Sequence, residues 1–288
     1  MEVREQFLLR PKTTMRIGGT ARYFAELSTK DDVEAAVRFA AEKRVPLIPL
    51  GSGSNTVFAD GVIDALVVQI ASVEPKISGG AATVGAGKNL AMLINELAAQ
   101  GLDLSALTGI PGTVGGALFG NAGQGPKGVW IDTFVETVTV YIDGAWKTLP
   151  KSECGFAYRE SGFKHHATPA LIWETVLRLP LADPAGIKAA IETLLKKRIE
   201  TQPHLKTAGS CFKAVGSTPA WQLIDAAGLR GYRAGGIEIS PKHANFLMNI
   251  GDGTYGDAVR IVEEVKKSIP QNLEVEMRFV EPDGTLRF

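Results

Sequence analysis

Six glycines fall within residues 108–123, at Gly109, Gly112, Gly115, Gly116, Gly120 and Gly123, with Pro111 fixing one turn and small or apolar residues between them. A backbone without side chains can approach a ligand closely and reach positive φ, and its successive N–H groups can line a concave anion site. A second loop, Gly51, Ser52, Gly53, Ser54 and Asn55, directly follows the apolar run 45–50, where a phosphate-binding turn at a strand end would stand. Corner-turning glycines account for either loop alone. Two such loops in one chain suit the pyrophosphate of a dinucleotide better.

Two common nucleotide signatures do not fit. After Gly51 and Gly53, Thr56 stands where the dinucleotide fingerprint needs its third glycine, and after Gly85 and Gly87, Leu90 stands there. Gly87 and Lys88 resemble the end of a phosphate loop, but Ala82 replaces its first glycine and Asn89 its hydroxyl residue. The ordinary Rossmann and P-loop readings are therefore set aside.

A chain of 288 residues can bury a large core and is long enough for two domains. Basic and acidic residues balance at 31 each, so the strong cationic field that nonspecific nucleic-acid binding exploits is missing, and no nucleic-acid partner is expected. The start of the chain carries the charges of Glu2, Arg4 and Glu5 and no apolar run approaches the length of a spanning helix, so a cytoplasmic location without membrane attachment is expected. Cys154 and Cys211 lie far apart, and His165, His166, His204 and His243 lack ligand spacing, so no metal is expected.

Along the chain, a turn at Gly18 and Gly19 leads into an extended stretch over 22–27. Thr29 and Asp32 have capping-box spacing ahead of a helix whose Val33, Ala36, Val37, Ala40 and Ala41 share a face. Strands are predicted at 45–50, 66–70 and 81–85, and Leu90, Leu93, Ile94 and Leu97 mark a second amphipathic helix ended by Gly101. Residues 133–142 and 145–149 flank Asp143 and Gly144 as a hairpin. A strand follows at 171–179, and Asp183 and Pro184 open a helix carrying Ile187, Ile191, Leu194 and Leu195. The remainder predicts a helix ending at Gly228, a strand at 244–250, a helix over 255–268 and a strand at 273–280. The pattern is α/β followed by a smaller α+β unit, with domains expected at 1–182, itself split at about residue 70 into 1–70 and 71–182, and at 183–288.

Several residues can carry chemistry. Arg159, in a short loop, can hold a carboxylate through its planar fork, or simply pair with Glu160. Ser210 follows Gly209 at a turn, Glu274 and Glu276 should share a face of the last strand, and His243 precedes another strand. Taken singly, each has an ordinary structural explanation.

Together they have an order. The stretches 14–19, 50–55, 109–117 and 121–123 closely resemble the flavin-binding motifs of the UDP-N-acetylenolpyruvoylglucosamine reductase family, and 158–161, 209–213, 240–246 and 273–276 resemble its other motifs. The resemblance runs in order from Thr14 to Arg278. It implies a vanillyl-alcohol-oxidase-type FAD-binding domain of two α/β subdomains, with a smaller C-terminal α+β substrate domain. It further implies a monomeric enzyme of peptidoglycan precursor synthesis that reduces the enolpyruvyl ether of a UDP-sugar with NADPH through noncovalent FAD.

By position in those motifs, Arg159 matches the catalytic arginine, Ser210 the proton-donating serine and Glu276 the catalytic acid, with Glu274 held in reserve. The resemblance assigns FAD contacts to Arg16, Gly51, Ser52, Gly53, Ser54, Asn55, Gly109, Ile110, Pro111, Gly112, Thr113, Gly115, Gly116, Ala117, Asn121 and Gly123. It assigns substrate contacts to Tyr158, Lys213, Arg230, Lys242, His243 and Asn245. The short interval between Ser161 and Leu171 is similar to the subtype lacking an inserted substrate-covering loop. The chain departs from the family at Ala214 and Val215, where asparagine and proline are usual, and at Gln124, Gly125 and Pro126, which replace a small-aromatic-glycine sequence. The alternatives are a flavin oxidase of the same fold acting on another small substrate and a noncatalytic nucleotide-binding homologue.

Overall fold

The computed structural model describes residues 1–124, 128–166 and 168–288. Three larger sheets and one two-stranded sheet carry the described residues. The first is built from β1 (Val3–Leu8), β2 (Thr20–Leu27), β3 (Leu47–Pro49) and β5 (Val62–Ile70) in the order β1-β2-β5-β3. β2, β5 and β3 run parallel, while β1 is antiparallel to β2. The parallel crossover is α1 (Lys30–Lys43), whose capping box forms as expected: Thr29 accepts from the Asp32 N–H, and Asp32 accepts from the Thr29 N–H. Val33, Ala36 and Ala40 give it a buried face, packed with Leu47, Leu66 and Val68 of the sheet. β4 (Thr56–Phe58) stands outside this sheet.

The second sheet is antiparallel, in the order β6-β7-β10-β8-β9, from β6 (Lys76–Ser78), β7 (Ala81–Gly85), β8 (Val135–Ile142), β9 (Ala145–Pro150) and β10 (Leu171–Arg178). α2 (Leu90–Ala98) and the short α3 (Val114–Phe119) close its core, with Leu90, Leu93, Ile94, Leu97, Val114 and Leu118 buried there. The β8–β9 hairpin turns at Asp143 and Gly144, both at positive φ (52° and 78°), as an Asp-Gly turn requires.

The third sheet, β11-β14-β13-β12, joins β11 (Thr207–Ser210), β12 (Arg233–Ala234), β13 (Ile237–Ile239) and β14 (Phe246–Asn249). α5 (Ala220–Ala226) and α6 (Tyr255–Ser268) contribute Ile224, Val262 and Val265 to its core. The expected boundary at 182/183 falls at the start of α4 (Pro184–Thr201), and the buried Ile187 and Ile191 of this helix pack into the core of the second sheet. The last strand, β15 (Arg278–Val280), is shorter than the 273–280 predicted and pairs in parallel with β4 near the other end of the chain. β4 and the turn before β2 in turn supply Met15, Ile17 and Val57 to the third sheet's core.

Candidate active site

The two glycine loops lie against each other. A Cβ on Gly51 would come within 2.7 Å of Thr113 Oγ1, one on Gly112 within 2.8 Å of Ser54 Oγ, and one on Gly115 within 2.8 Å of the Ala86 Cβ. Part of the glycine density therefore serves loop-to-loop packing, a role beside the ligand approach and corner-turning that the sequence suggested. Gly53, Gly109 and Gly112 are at φ of 61°, 80° and 118°, and Ser54 Oγ donates to Pro111 O at 3.3 Å. Thr113 caps α3 by accepting from the Gly116 N–H at 3.2 Å. Gly116 and Ile110, Ala117 lie on the same loop and helix, the last two with buried side chains. The turn ending at Arg16 reaches this loop pair through Thr14, whose N–H donates to Gly53 O, while the Arg16 guanidinium is exposed and donates to Pro11 O.

From the last residue of α3 onward the chain grips the Arg159 loop at three points. Ser161 Oγ donates to Phe119 O at 2.7 Å, Asn121 Nδ2 donates to Ala157 O at 2.9 Å, and Arg159 Nη2 donates to Gly123 O at 2.9 Å. Asn121, assigned to the cofactor by resemblance, is fully enclosed by these contacts, and its Oδ1 also accepts from the Asp132 N–H. Gly125 and Pro126 lie outside the described residues; Gln124 donates to Ala106 O. Arg159 and Asn121 both adopt left-handed backbone (φ 54° and 40°), as does Arg16 at 59°. Such conformations cost non-glycine residues on the order of 1–3 kcal/mol and persist where the surroundings over-determine them.

From the other side, the end of β11 and the segment before β15 bring Ser210 and Glu276 toward this loop. Ser210 ends β11 directly after Gly209, which sits at φ 79°, and its hydroxyl has no partner in the chain among the described residues. The next residue, Cys211, accepts the Glu276 N–H on its carbonyl at 2.7 Å. Asn55 of the first glycine loop donates through Nδ2 to Glu276 O at 3.0 Å, and Glu276 Oε1 then stands 3.1 Å from Arg159 Nε. Burial pushes the Glu276 carboxyl above its ordinary range, against the opposing pull of Arg159, Lys164 and Lys213. Glu274 points outward and pairs with Lys213 Nζ at 2.5 Å. The structure thus pairs Arg159 with Glu276, places Ser210 next to Cys211, the backbone partner of Glu276, and separates the two glutamates that spacing had left equivalent.

Lys213 also lies 3.7 Å from Glu160. Burial lowers the Lys213 pKa, but Glu274, Glu160 and Glu276 outweigh it and the net direction is upward. Tyr158 Oη accepts from the Ala214 N–H at 3.4 Å, and the Arg159 guanidinium lies over the Tyr158 ring. Arg230, Lys242 and His243 form a second group around the 240–245 loop: Arg230 binds Asp225 and Pro241 O, and Lys242 reaches Ile199 O. His243 packs edge-on to Phe246, and burial first, then Arg230, lowers its pKa, so the ring is neutral at neutral pH. Asn245 is buried, with its amide bonded to the Phe212 backbone.

Sequence reasoning missed two arginines. Arg198, on α4, donates to Thr108 O at 3.0 Å and lies against Gly109, where any Cβ would collide with its Cδ. Burial first, then the nearby Arg159, lowers its pKa, marking two cations held close together. Arg278 is enclosed above the Phe119 ring, 3.3 Å from Pro49 O. Both sit in charged or irregular stretches that give no sequence signal of burial. Thr108 Oγ1, Thr207 Oγ1, Arg278 Nε and the Arg159 Nε, which faces Glu276 off the hydrogen-bonding direction, are buried without a hydrogen-bond partner among the described residues. Orphaned donors and crowded cations between two glycine loops fit a large, polar, anionic group such as FAD.

Fold and site together define a flavoprotein; residues 21–149 match the FAD binding domain model. Residues 202–281 match the C-terminal domain of UDP-N-acetylenolpyruvoylglucosamine reductase. The chain is 34% identical over 273 residues to UDP-N-acetylenolpyruvoylglucosamine reductase 2 of Symbiobacterium thermophilum, covering 93% of this chain and 88% of that protein. It is 37% identical over 276 residues to the reductase of Geobacter metallireducens, covering 93% and 90%. The crystal structure of UDP-N-acetylenolpyruvylglucosamine reductase (MurB) from Thermus caldophilus superposes with a TM-score of 0.83 at 31% identity, over 96% of this chain and 98% of that one. The chain belongs to the UDP-N-acetylenolpyruvoylglucosamine reductase family.

Proposed function

We propose that this protein reduces the enolpyruvyl ether of UDP-N-acetylglucosamine to its lactyl ether in peptidoglycan precursor synthesis, with NADPH as donor. The observation that carries the reading is the Arg159–Glu276 pair beside the two glycine loops, with Ser210 adjacent to Cys211, whose carbonyl accepts the Glu276 N–H. Those loops, with Arg198 and Thr108, would hold FAD noncovalently, since no histidine lies in either to form a tether. Hydride transfer from the nicotinamide to the enolpyruvyl β-carbon is the chemistry that FAD would supply when bound there. Arg159 then offsets the negative charge that develops beside the substrate carboxylate. The Ser210 hydroxyl delivers a proton to the α-carbon as general acid. Glu276, held protonated to higher pH than an ordinary glutamate, can donate a hydrogen bond to the same anionic species. Tyr158, Lys213 and the Arg230, Lys242 and His243 group bind the UDP-sugar, with 183–288 as substrate domain on a monomer in the cytoplasm.

The test is NADPH oxidation by the FAD-loaded protein. It should require the UDP-enolpyruvyl sugar. Oxygen consumption without that sugar would favour the oxidase, and colourless protein with no affinity for FAD would sink both. Ser210→Ala should accept hydride from NADPH at near the parent rate, yet reoxidation by the sugar should slow roughly 10²–10⁴-fold, the usual contribution of a positioned general acid. Stopped-flow absorbance follows both steps, and equal loss in both would remove Ser210 from the role.

A further inference from the structure

Asn245 is 6% exposed, and its amide meets a single residue. The Phe212 N–H donates to Oδ1 at 2.9 Å, and Nδ2 donates to Phe212 O at 2.8 Å. The Asn245 carbonyl also accepts the Cys211 N–H at 2.8 Å. The pairing of β11 with β14 ends at Ser210 and Phe246, after a register shift, so the chain beyond Ser210 has no strand to hold it on that side. The Asn245 side chain supplies the missing acceptor and donor and extends the ladder by one residue. On the opposite side, the Glu276 N–H donates to Cys211 O and the Lys213 N–H to Glu274 O. The segment after Ser210 is therefore held between the backbone that carries Glu276 and Asn245, through that residue's backbone carbonyl at Cys211 and its buried side-chain amide at Phe212.

We infer that Asn245 is a positioning residue that sets the Ser210 hydroxyl relative to Glu276, and that it is not a substrate ligand. The inference rests on Ser210 being the proton donor. The position needs an acceptor and a donor side by side, facing an N–H and a C=O. Leucine has the size but leaves both Phe212 groups unpartnered. An ionised aspartate accepts from the N–H but opposes the carbonyl. A protonated aspartic acid restores both bonds. The titratable groups around it are His243, whose Nδ1 accepts the Asn245 N–H at 3.3 Å, and Cys211, Lys213 and Glu276 on the segments packed against it. Rates taken relative to the parent at each pH remove the titration that the two enzymes share.

The experiment follows both half-reactions of the FAD-loaded enzyme, using NADPH and the UDP-enolpyruvyl sugar. Asn245→Leu should reduce normally and bind the sugar within about twofold of the parent, while its reoxidation slows roughly 10–100-fold, the scale of a small misplacement of a reacting group. Asn245→Asp should be as slow at pH 8 and recover toward the parent rate as the pH falls to about 5.5. Weakened sugar binding with an unchanged reoxidation rate would make Asn245 a substrate ligand and overturn the inference. Equal loss in both half-reactions, or an Asn245→Asp rate ratio flat with pH, would reduce it to a fold contact and overturn it too. If Asn245→Leu does not fold, the pH response of Asn245→Asp decides. Ser210→Ala with unimpaired reoxidation would sink the underlying reading; slow Ser210→Ala beside fast Asn245→Leu would sink the positioning alone.

Discussion

A carboxyl group beside an arginine is ordinarily drawn toward ionisation, and Glu276 goes the other way because burial outweighs Arg159, Lys164 and Lys213. The sign for stability follows. A carboxyl whose folded pKa is raised binds its proton more tightly in the folded state, so rising pH removes stability between the unfolded value near 4.5 and the higher folded value. Glu276→Gln should therefore match the parent in melting temperature below about pH 4.5 and gain on it as pH rises, levelling off above the folded pKa. Thermal melts of both proteins across pH 4 to 9 check this, and a gap that narrows with rising pH would contradict it. Ala214 offers a second test, since its N–H already meets Tyr158 Oη but its methyl group can bind nothing polar. Ala214→Asn should tighten sugar binding severalfold, the worth of about one net hydrogen bond, as read by titration of flavin absorbance. Arg159, Ser210 and Glu276 were legible in the sequence only as members of an ordered set. Arg198 was not, because one arginine following two lysines on a charged helix reads as a solvated face until Gly109 is seen beneath it.

Among the elements, those with chemical punctuation were read well. α1 has its Thr29 and Asp32 box, α4 its Asp183 cap and Pro184, and α6 spans the predicted residues with Thr254 and Asp257 reciprocally bonded. α3 escaped because a helix of six residues with two glycines has neither period nor propensity to announce it. Residues 273–277 alternate like a strand but bond irregularly to Cys211 and Lys213, so the regular ladder begins only at Arg278. The segment from the last residue of α3 onward is where element and site meet, since it holds the Arg159 loop at three points. Asn121→Ala loses two enclosed hydrogen bonds and places alanine at positive φ, which should cost about 2–4 kcal/mol. Asn121→Gly loses the same bonds without the backbone penalty and should cost about 1 kcal/mol less. Urea denaturation distinguishes them; equal losses would mean that φ at this position carries no strain.

At the scale of the molecule, the three sheets do not correspond to three independent stretches of chain. α4 covers the second sheet's core with Ile187 and Ile191, β15 supplies the partner of β4, and Met15, Ile17 and Val57 fill the third core. A fragment ending at residue 182 should accordingly neither fold stably nor retain FAD, although it contains both glycine loops; a folded, yellow fragment would refute this. Sequence patterning marked most of the local pieces but not this interleaving, because nothing in the period of a strand names its distant partner. The bond from Asn55 to Glu276 spans 221 residues, and β4 lies beside it. At synthesis rates of about 5–20 residues per second, β4 waits roughly 10–45 s for its partner to be made. During translation the first glycine loop is thus complete in sequence yet unanchored, and the strand that secures it arrives together with Glu276, the partner of Arg159. A chain truncated before Glu276 lacks both the strand that pairs with β4 and the carboxylate that faces Arg159.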